Sequence, residues 1–361
     1  MKGLGDISEV EKLKVFKAIS VGCKDNAELR EYISLFCDED KVDEYLRRTQ
    51  GYFNEDEFTV ICYLLNTCKR ITPLSQTPLP RHEKGTPDYL VTFKTKYGDL
   101  SCFIEVKSTT NHQTSALSYN AIERINNYGK DYGLPVLFAS RIIIGDCGVW
   151  VLQTYKEFLE NKRCAKISLQ PKVIGNALMN DRLVSVITEF KMELTFKENA
   201  TQPDGGPYYE EYGYLTGMNI TADGVTISFD DVLLLDIIFS SFAKVEHVVK
   251  TSFGFKVHKK AKFGTSLPLS CLLLHLNTVL SDKDNVKSFA NQSRLIAQIE
   301  HNNGLVFEQK LFDNLLSAIR GSFPPDNRVE IFGFIRIGDN EQIAKSNRKI
   351  KSEINRQKKI N

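Results

Sequence analysis

The sequence predicts an α/β core followed by a second, helix-rich domain of mixed α+β character. Two runs rich in aromatic and branched residues, 88–93 and 100–107, flank a charged segment that contains Gly98, a pattern typical of a β-hairpin. Helix-like periodicity precedes and follows this hairpin, and two further strand-like runs occupy 134–144 and 148–153. The order helix, hairpin, helix, strand, strand favours an α/β core.

The composition is that of an ordinary globular protein. Its 361 residues are 42% hydrophobic and 25% charged, which is enough chain for two domains. The net charge of +2 does not indicate nucleic-acid binding, so any basic surface is expected to be local. The eight cysteines include no Cys-x-x-Cys pair and the six histidines show no metal-ligand spacing, which argues against zinc and against a disulfide framework. No apolar run is long enough to cross a membrane, and we expect a cytoplasmic protein.

Three segments are predicted along the chain. Residues 1–50 carry apolar positions at three- and four-residue spacing and form an N-terminal helical segment. The core occupies 51–170 and opens with a helix that Asn54 caps and that reaches about Lys69. Residues 171–361 form a C-terminal domain of unknown role, which ends in a basic tail.

The hairpin brings three ionisable side chains together. Folding about Gly98 sets Asp88 directly or diagonally across from Glu105 and Lys107, about 5 to 8 Å away. Glu105 and Lys107 are two residues apart and share a face of their strand. Two carboxylates are oxygen ligands of the kind that Mg²⁺ or Mn²⁺ takes beside water and phosphate, and a lysine there offsets charge on a phosphate. The simpler interpretation is a surface salt bridge on a hairpin.

A Pro-Asp pair ending at Asp88, followed by Glu105-Val106-Lys107, resembles the motif of the PD-(D/E)xK nuclease superfamily, to which many restriction endonucleases and archaeal Holliday-junction resolvases belong. The resemblance implies a restriction-endonuclease-like mixed sheet flanked by helices. It also implies that Asp88, Glu105 and the Val106 carbonyl ligate Mg²⁺ and that Lys107 handles the attacking water.

Five further side chains are predicted to join the site or its substrate. Members of the superfamily often carry a metal-site glutamate on the helix before the hairpin, and Glu57 is favoured for that role. The alternative is that Glu57 only complements the helix dipole in the first turn of its helix. Tyr119 and Arg124 lie on the helix that follows the motif, which in the superfamily flanks the substrate groove. The alternative for these two residues is an exposed polar face. Lys349 and Lys351 belong to the basic tail, which either contacts phosphate or is a solvated end.

These features predict a metal-dependent DNA endonuclease that acts in restriction, phage defence, recombination or transposition. The alternative is a catalytically idle nucleic-acid-binding or scaffolding module that retains the nuclease fold. DNA is the expected partner, whereas a homodimer or a protein partner bound through the C-terminal domain stays open.

Overall fold

The chain folds into two compact units. A computed structural model describes residues 8–23, 25–75, 85–109, 116–144, 147–165, 175–198, 207–229, 232–281, 295–296, 299–300, 306–336 and 340–360. Unit 1 comprises Met1–Asp181, Asn277–Val306 and Ile337–Asn361, and unit 2 comprises Arg182–Leu276 and Phe307–Arg336. Within the described ranges, no helix combines the length and the apolar character that a membrane crossing requires.

Unit 1 begins with a small helical bundle. Its helices are α1 (Glu9–Ser20), α2 (Asn26–Ser34) and α3 (Val42–Leu64), with a short 3-10 turn at Glu39–Lys41. Ser8 and Glu11 form a capping box that fixes the start of α1. Phe16 and Leu29 are buried with Phe53 of α3 in one apolar cluster, so the predicted N-terminal helical segment shares its core with the helix that follows it.

Helix α3 begins earlier than the sequence pattern indicates. The predicted N-cap, Asn54, lies inside this helix, and its side-chain amide donates to Ser108 Oγ at 2.9 Å. Gly51 also lies inside α3, where a glycine costs about 1 kcal/mol relative to alanine. Burial of Phe53 and of Phe58 offsets that cost. Packing therefore outweighs the local sequence signals for a later helix start.

A five-stranded mixed sheet is the centre of unit 1. Its strands are β1 (Cys68–Pro73), β2 (Tyr89–Thr95), β3 (Gly98–Ser108), β4 (Val136–Ile144) and β5 (Cys147–Thr154), paired in chain order. All pairs are antiparallel except β3 and β4, which are joined by α4 (Tyr119–Asp131). Helices α5 (Tyr155–Glu160) and α6 (Gly175–Met179) follow. The predicted α/β core, a mixed sheet flanked by helices, is therefore confirmed.

The basic C-terminal tail is a helix that packs on unit 1. This helix, α10 (Asn340–Ile360), buries Ile350 and Ile354. The Gln357 amide accepts from the Ser101 N–H at 3.2 Å and donates to the Ser101 carbonyl at 2.7 Å, on the part of β3 that precedes its pairing with β4. The grouping of this helix with unit 1 differs from the predicted 171–361 domain, because isoleucines spaced by four residues lie among its lysines and bury one face.

Unit 2 consists mainly of strands. They are β6 (Arg182–Val186), β7 (Phe190–Lys197), β8 (Tyr208–Tyr209), β9 (Gly213–Ala222), β10 (Val225–Phe229), β11 (Lys244–Lys250), β12 (Gly254–Ala261), β13 (Ser266–Pro268) and β14 (Phe332–Arg336). The helices are α7 (Leu233–Phe242), α8 (Leu269–Ser281), which spans the boundary between the units, and α9 (Gln309–Gly321), with a 3-10 turn at Pro325–Asn327.

Two antiparallel sheets organise these strands. One has the order β10-β9-β7-β12-β11, with β8 added beside β9, and the other has the order β13-β6-β14. Alternate residues of β7, from Phe190 to Phe196, are buried, and Phe190 packs edge-on against Phe239 of α7. Strands outnumber helices among the described residues of unit 2, because period-two alternation dominates its sequence. The domain predicted as helix-rich, 171–361, has other bounds and includes α10, so its helix-rich character stays a prediction.

The packing of α10 predicts a large effect of a core substitution in the tail. Ile354→Ala removes a side chain that is 2% exposed and should lower the free energy of unfolding by about 2 to 4 kcal/mol, measured by urea denaturation. Lys358→Ala, at an exposed position of the same helix, should change it by less than about 0.5 kcal/mol. Equal, small effects of both substitutions would show that the tail is solvated.

Candidate active site

The register of the β2–β3 hairpin places Asp88 opposite Glu105. Tyr89 pairs with Ile104 and Thr95 pairs with Gly98, so the next position beyond the ladder sets Asp88 against Glu105. Gly98 has a φ of 122°, a backbone conformation that glycine adopts without strain, and this fixes the tight turn. A directly opposed pair shares one face of the sheet, which brings the two carboxylates to the same side.

A backbone hydrogen bond holds the Asp88 carboxylate at the second strand. The Val106 N–H donates to Asp88 Oδ2 at 2.6 Å, and Asp88 is only 8% exposed. The N–H and C=O of a paired strand residue point toward the same neighbouring strand, so the Val106 carbonyl faces the side on which Asp88 lies. A carboxylate and a backbone carbonyl therefore line one side of β3.

Glu105 and Lys107 form an ion pair along the same strand. Lys107 Nζ lies 2.6 Å from Glu105 Oε1, with 34% of the lysine side chain exposed against 8% of the glutamate side chain. The carboxylate is thus at the buried end of the pair and the ammonium is at the end nearer to solvent. A ligand that approaches from solvent would meet the ammonium of Lys107 beside the two carboxylates.

The electrostatics of this cluster oppose the ionisation of Glu105. Burial raises the pKa of Glu105 to about 7, and repulsion by Asp88 adds to the rise, while Lys107 lowers it. Burial by itself lowers the pKa of Lys107, but the carboxylates of Glu105 and Asp88 raise it above its ordinary value. Lys107 therefore carries a full positive charge at neutral pH.

Glu55 on α3 is a third carboxylate under the electrostatic influence of the cluster, whereas the sequence prediction had named Glu57 as the helix glutamate of the site. Burial raises the pKa of Glu55 to about 8, repulsion by Asp88 adds to the rise, and Lys17 and Lys107 oppose it. Because the charges of Asp88 and Lys107 both shift the pKa of Glu55, Glu55 lies within electrostatic reach of both residues. The sequence shows that both glutamates belong to one helix, but it does not show which of them faces Asp88.

The structure places Glu57 away from the predicted metal role. Its Oε1 accepts from Arg141 Nε at 2.7 Å and from Trp150 Nε1 at 3.1 Å, and the residue is 1% exposed. Residues two apart on an α-helix are rotated by about 200°, so Glu55 and Glu57 face different neighbours. Glu57 is a buried tie between α3 and strands β4 and β5, and its assignment as a metal ligand is corrected to this structural role.

The N-terminal bundle contributes a cation beside the cluster. Lys17 Nζ lies 2.6 Å from Asp56 Oδ1 and 5.8 Å from the centre of the Tyr52 ring. Burial raises the pKa of Tyr52, and the charges of Glu55 and Asp88 raise it further. Tyr52 and Lys17 therefore both lie within electrostatic reach of Glu55, which places part of the N-terminal bundle near the site.

The predicted substrate-contacting residues on α4 are exposed near the approach to Asp88. Tyr119 is 50% exposed, and Arg124 is also exposed. A Cβ added to Gly85, which has a φ of 111°, would lie 2.9 Å from Arg124 Cβ, so α4 packs directly on the segment that leads to Asp88. Only glycine fits this close approach, and the contact ties the position of α4 to that of Asp88.

The predicted tail lysines contact residues outside the carboxylate cluster. Lys349 Nζ is 2.9 Å from Glu157 Oε1, and Lys351 Nζ is 6.0 Å from the centre of the Tyr97 ring. Tyr97 forms the hairpin turn, which is separated from Lys107 by about ten strand residues, or about 30 Å. The structure therefore does not bring these two lysines together with the carboxylate cluster.

The donor set fits a hard divalent cation that keeps most of its water. Asp88, Glu105 and the Val106 carbonyl supply oxygen atoms, and Mg²⁺ binds through one or two carboxylates plus water and substrate phosphate. Among the described residues, no group of three or more His, Cys, Asp or Glu side chains is arranged to hold a metal ion. Burial and the negative charge of Asp88 raise the pKa of Glu105 to about 7, and the positive charge of a bound cation would favour the ionised carboxylate again.

Comparisons with known proteins leave the family of the chain unassigned. No protein-family model matches the chain, and no curated protein matches it. Among solved structures, the chain is similar to Hjc, a Holliday junction resolvase from the archaeal hyperthermophile Archaeoglobus fulgidus, at 15% sequence identity. The match covers 29% of this chain and 78% of that chain with a TM-score of 0.24, which is too low to establish a common fold.

The raised carboxylate pKa values predict how stability depends on pH in metal-free protein. Between about pH 4.5 and pH 8 the folded state binds more protons at Glu55 and Glu105 than the unfolded state does, so stability falls as pH rises through this window. Glu55→Gln removes one of the two groups and should raise the free energy of unfolding at pH 8 by on the order of 2 kcal/mol, with little change at pH 4.5.

Urea denaturation in EDTA at both pH values measures this difference. Glu31→Gln, at an exposed position of α2, is the matched control and should leave stability unchanged at either pH. A destabilised Glu55→Gln protein at pH 8 would contradict the repulsion between Glu55 and Asp88.

Proposed function

We propose that this protein is a metal-dependent endonuclease that hydrolyses phosphodiester bonds of DNA. The observation that carries the proposal is the juxtaposition of Asp88, Glu105 and Lys107 at one end of a hairpin, with both carboxylates buried. A buried group whose pKa is displaced by a specific charged neighbour is typical of a functional site, and Glu105 has this property. An exposed salt bridge, the simpler interpretation, would not bury two carboxylates side by side.

The proposed mechanism assigns a role to each side chain. Asp88, Glu105 and the Val106 carbonyl would hold Mg²⁺ or Mn²⁺, which supplies an acidified water and charge stabilisation at the phosphate. The Val106 N–H holds the Asp88 carboxylate in place. Lys107 orients the attacking water and, as an ammonium, offsets the negative charge that grows on the phosphate. Its raised pKa makes it unsuited to act as the base before substrate binds.

Glu55 is proposed as an additional determinant of cation affinity. Its charge repels that of Asp88, so ionisation of both is favoured only when a cation is close. Glu55 would act through charge and through cation-bound water, because the described residues contain no three-carboxylate group arranged to hold a metal. Cation affinity is therefore expected to rise steeply as pH approaches the pKa of Glu55, which is about 8.

The substrate is proposed to lie along α4. Tyr119 and Arg124 would contact phosphate or sugar beside the segment that leads to Asp88, because α4 packs on Gly85. Lys349 and Lys351 of α10 are proposed as distant phosphate contacts, although Glu157 already neutralises part of the charge of Lys349. Such contacts bind without reading sequence.

A catalytically idle nucleic-acid-binding or scaffolding module is the second candidate. The ion pair between Lys107 and Glu105 favours it, because an engaged carboxylate is a weaker metal ligand. One result distinguishes the two candidates: the endonuclease cleaves DNA when a divalent cation is added, and the idle module does not. Restriction, phage defence, recombination and transposition are settings in which the active form would serve.

Cleavage of plasmid DNA tests the proposed function. Wild-type protein should nick supercoiled plasmid with Mg²⁺ or Mn²⁺ and not with EDTA, and Lys107→Ala should slow the reaction at least about 100-fold because charge stabilisation at the phosphate is removed. Arg348→Ala, at an exposed position of α10, controls for a general decrease in positive charge. DNA binding without cation-dependent cleavage by the wild-type protein would favour the idle module.

The two helix glutamates should respond differently to the same substitution. Glu55→Gln should weaken activation by Mg²⁺ at about pH 7.5 while the fold is retained, since Glu55 lies within electrostatic reach of Asp88. Glu57→Gln should instead lower the free energy of unfolding by about 3 kcal/mol, because Arg141 is then without its buried counter-charge. Titration of Mg²⁺ in the nicking assay and urea denaturation measure the two effects. The reverse pattern would return Glu57 to the site and remove Glu55.

A further inference from the structure

One face of the six-stranded sheet of unit 2 carries an unusual density of positive charge. Strand pairing places five lysines on this face, which we call the open face: Lys191, Lys197, Lys244, Lys256 and Lys260. The other face of β7 is buried and includes Phe190, which packs on Phe239 of α7, so the open face is the solvent side of the sheet. The lysines of β7 and Lys244 of β11 are exposed.

Three of these lysines form a row across neighbouring strands. Lys191 pairs with Lys260, and Lys260 pairs with Lys244. Opposed residues on adjacent antiparallel strands have Cα atoms about 5 Å apart, so the row spans about 10 Å. Like charges placed directly opposite each other repel and destabilise a sheet. A bound anionic partner would reduce this repulsion between the lysines.

Carboxylates neutralise only part of this charge. Glu193 lies 2.9 Å from Lys256, and Glu189 lies 3.7 Å from Lys260. Among the residues that the structure describes, Lys191, Lys197 and Lys244 have no carboxylate within ion-pair distance. The open face therefore retains a net positive field, although the whole chain has a net charge of only +2.

Rings and hydroxyl groups accompany the lysines. Tyr208 pairs with Tyr214, which pairs with Lys197, and the two tyrosine rings have centroids 5.0 Å apart. Tyr208 is 46% exposed. In the lysine row, Lys191 is followed by Thr221 and Thr226, whose hydroxyls are 2.8 Å apart. Exposed rings offer stacking platforms, and hydroxyls donate to phosphate or sugar oxygens.

We propose that the open face of unit 2 binds single-stranded nucleic acid. The lysine row would contact consecutive phosphates, and unpaired bases would stack on Tyr208 and its neighbouring ring. A duplex hides its bases and would leave these rings without a role, and an acidic protein surface would not need them either. The inference does not rest on the proposed nuclease activity, because binding here requires neither metal nor the carboxylates of unit 1.

Binding of a fluorescein-labelled dT20 oligonucleotide to the full chain in EDTA tests the proposal by fluorescence anisotropy. The variant Lys191→Gln, Lys244→Gln, Lys260→Gln should bind at least about tenfold more weakly at about 0.15 M salt. Its slope of log K against log salt should be smaller by about 2, since each phosphate that the variant no longer binds accounts for about 0.7. The matched control is Lys14→Gln, Lys41→Gln, Lys156→Gln in unit 1, which removes the same charge and should retain both values.

Equal weakening by both triple variants, or an unchanged salt slope, would overturn the proposal. Thermal unfolding checks the fold of the variant, and its midpoint should not fall, because substitution relieves repulsion between opposed lysines. Should the triple variant unfold, Lys197→Gln alone provides the comparison and should reduce the salt slope by about 0.7.

Tyr208→Leu separates single strands from duplex and from a generic polyanion site. It should weaken dT20 binding about tenfold because stacking on the ring is removed, and should leave binding of a 20-base-pair duplex and of heparin unchanged. Tighter binding of duplex than of dT20, together with no effect of Tyr208→Leu, would assign the open face to a duplex backbone and overturn the single-strand proposal. Weakened dT20 binding with intact plasmid nicking would separate this surface from the catalytic cluster.

Discussion

The candidate site depends on the register of a single hairpin. A shift by one residue between β2 and β3 would send every side chain of one strand to the other face, and Asp88 would no longer oppose Glu105. Several features fix this register. Gly98 closes the turn, Val91 and Cys102 pair across the buried part of the ladder, and the side chain of Asp88 accepts from the Val106 N–H at its open end. The last contact ties the Asp88 carboxylate to the backbone of the strand that carries Glu105 and Lys107.

Helix α3 carries one glutamate that stabilises the fold and another that lies within electrostatic reach of the candidate site. Glu57 uses its carboxylate to tie the helix to β4 and β5, through a buried pair that is fully engaged. Glu55, two residues earlier, is half-buried and lies near the negative charge of Asp88, and both effects raise its pKa. Such an arrangement lowers stability, and it persists in proteins where activity requires it. The same helix also carries Phe53 into the core of the N-terminal bundle, so the bundle and the site share their support.

Positive charge is concentrated locally in both units, and the overall charge of the chain conceals it. In unit 1 the basic residues of α10 lie around a buried stripe of Ile350 and Ile354, which makes the helix a structural part of the core as well as a cationic surface. In unit 2 most lysines of β7 and β12 lie on one sheet face, whereas Lys259 faces the other side and lies 3.9 Å from Asp236 of α7. A linear count of charges cannot separate these faces, because adjacent residues of a strand point in opposite directions.

Local sequence patterns were sufficient to predict the hairpin, an α/β core and the proximity of Asp88, Glu105 and Lys107, because these follow from alternation, a turn signal and a short spacing. The mixed sheet followed only from the resemblance to a known motif. They could not show which helix glutamate approaches the set, since that depends on how α3 rotates against the sheet when Phe53 and Phe58 are both buried. Nor could they place the last helix, in which Gln357 bonds to Ser101, a strand residue 256 positions earlier. The strand-rich character of the second unit also arises from long-range packing, because its apolar runs suit a buried helix or a sheet equally, and only the pairing of distant strands selects between them.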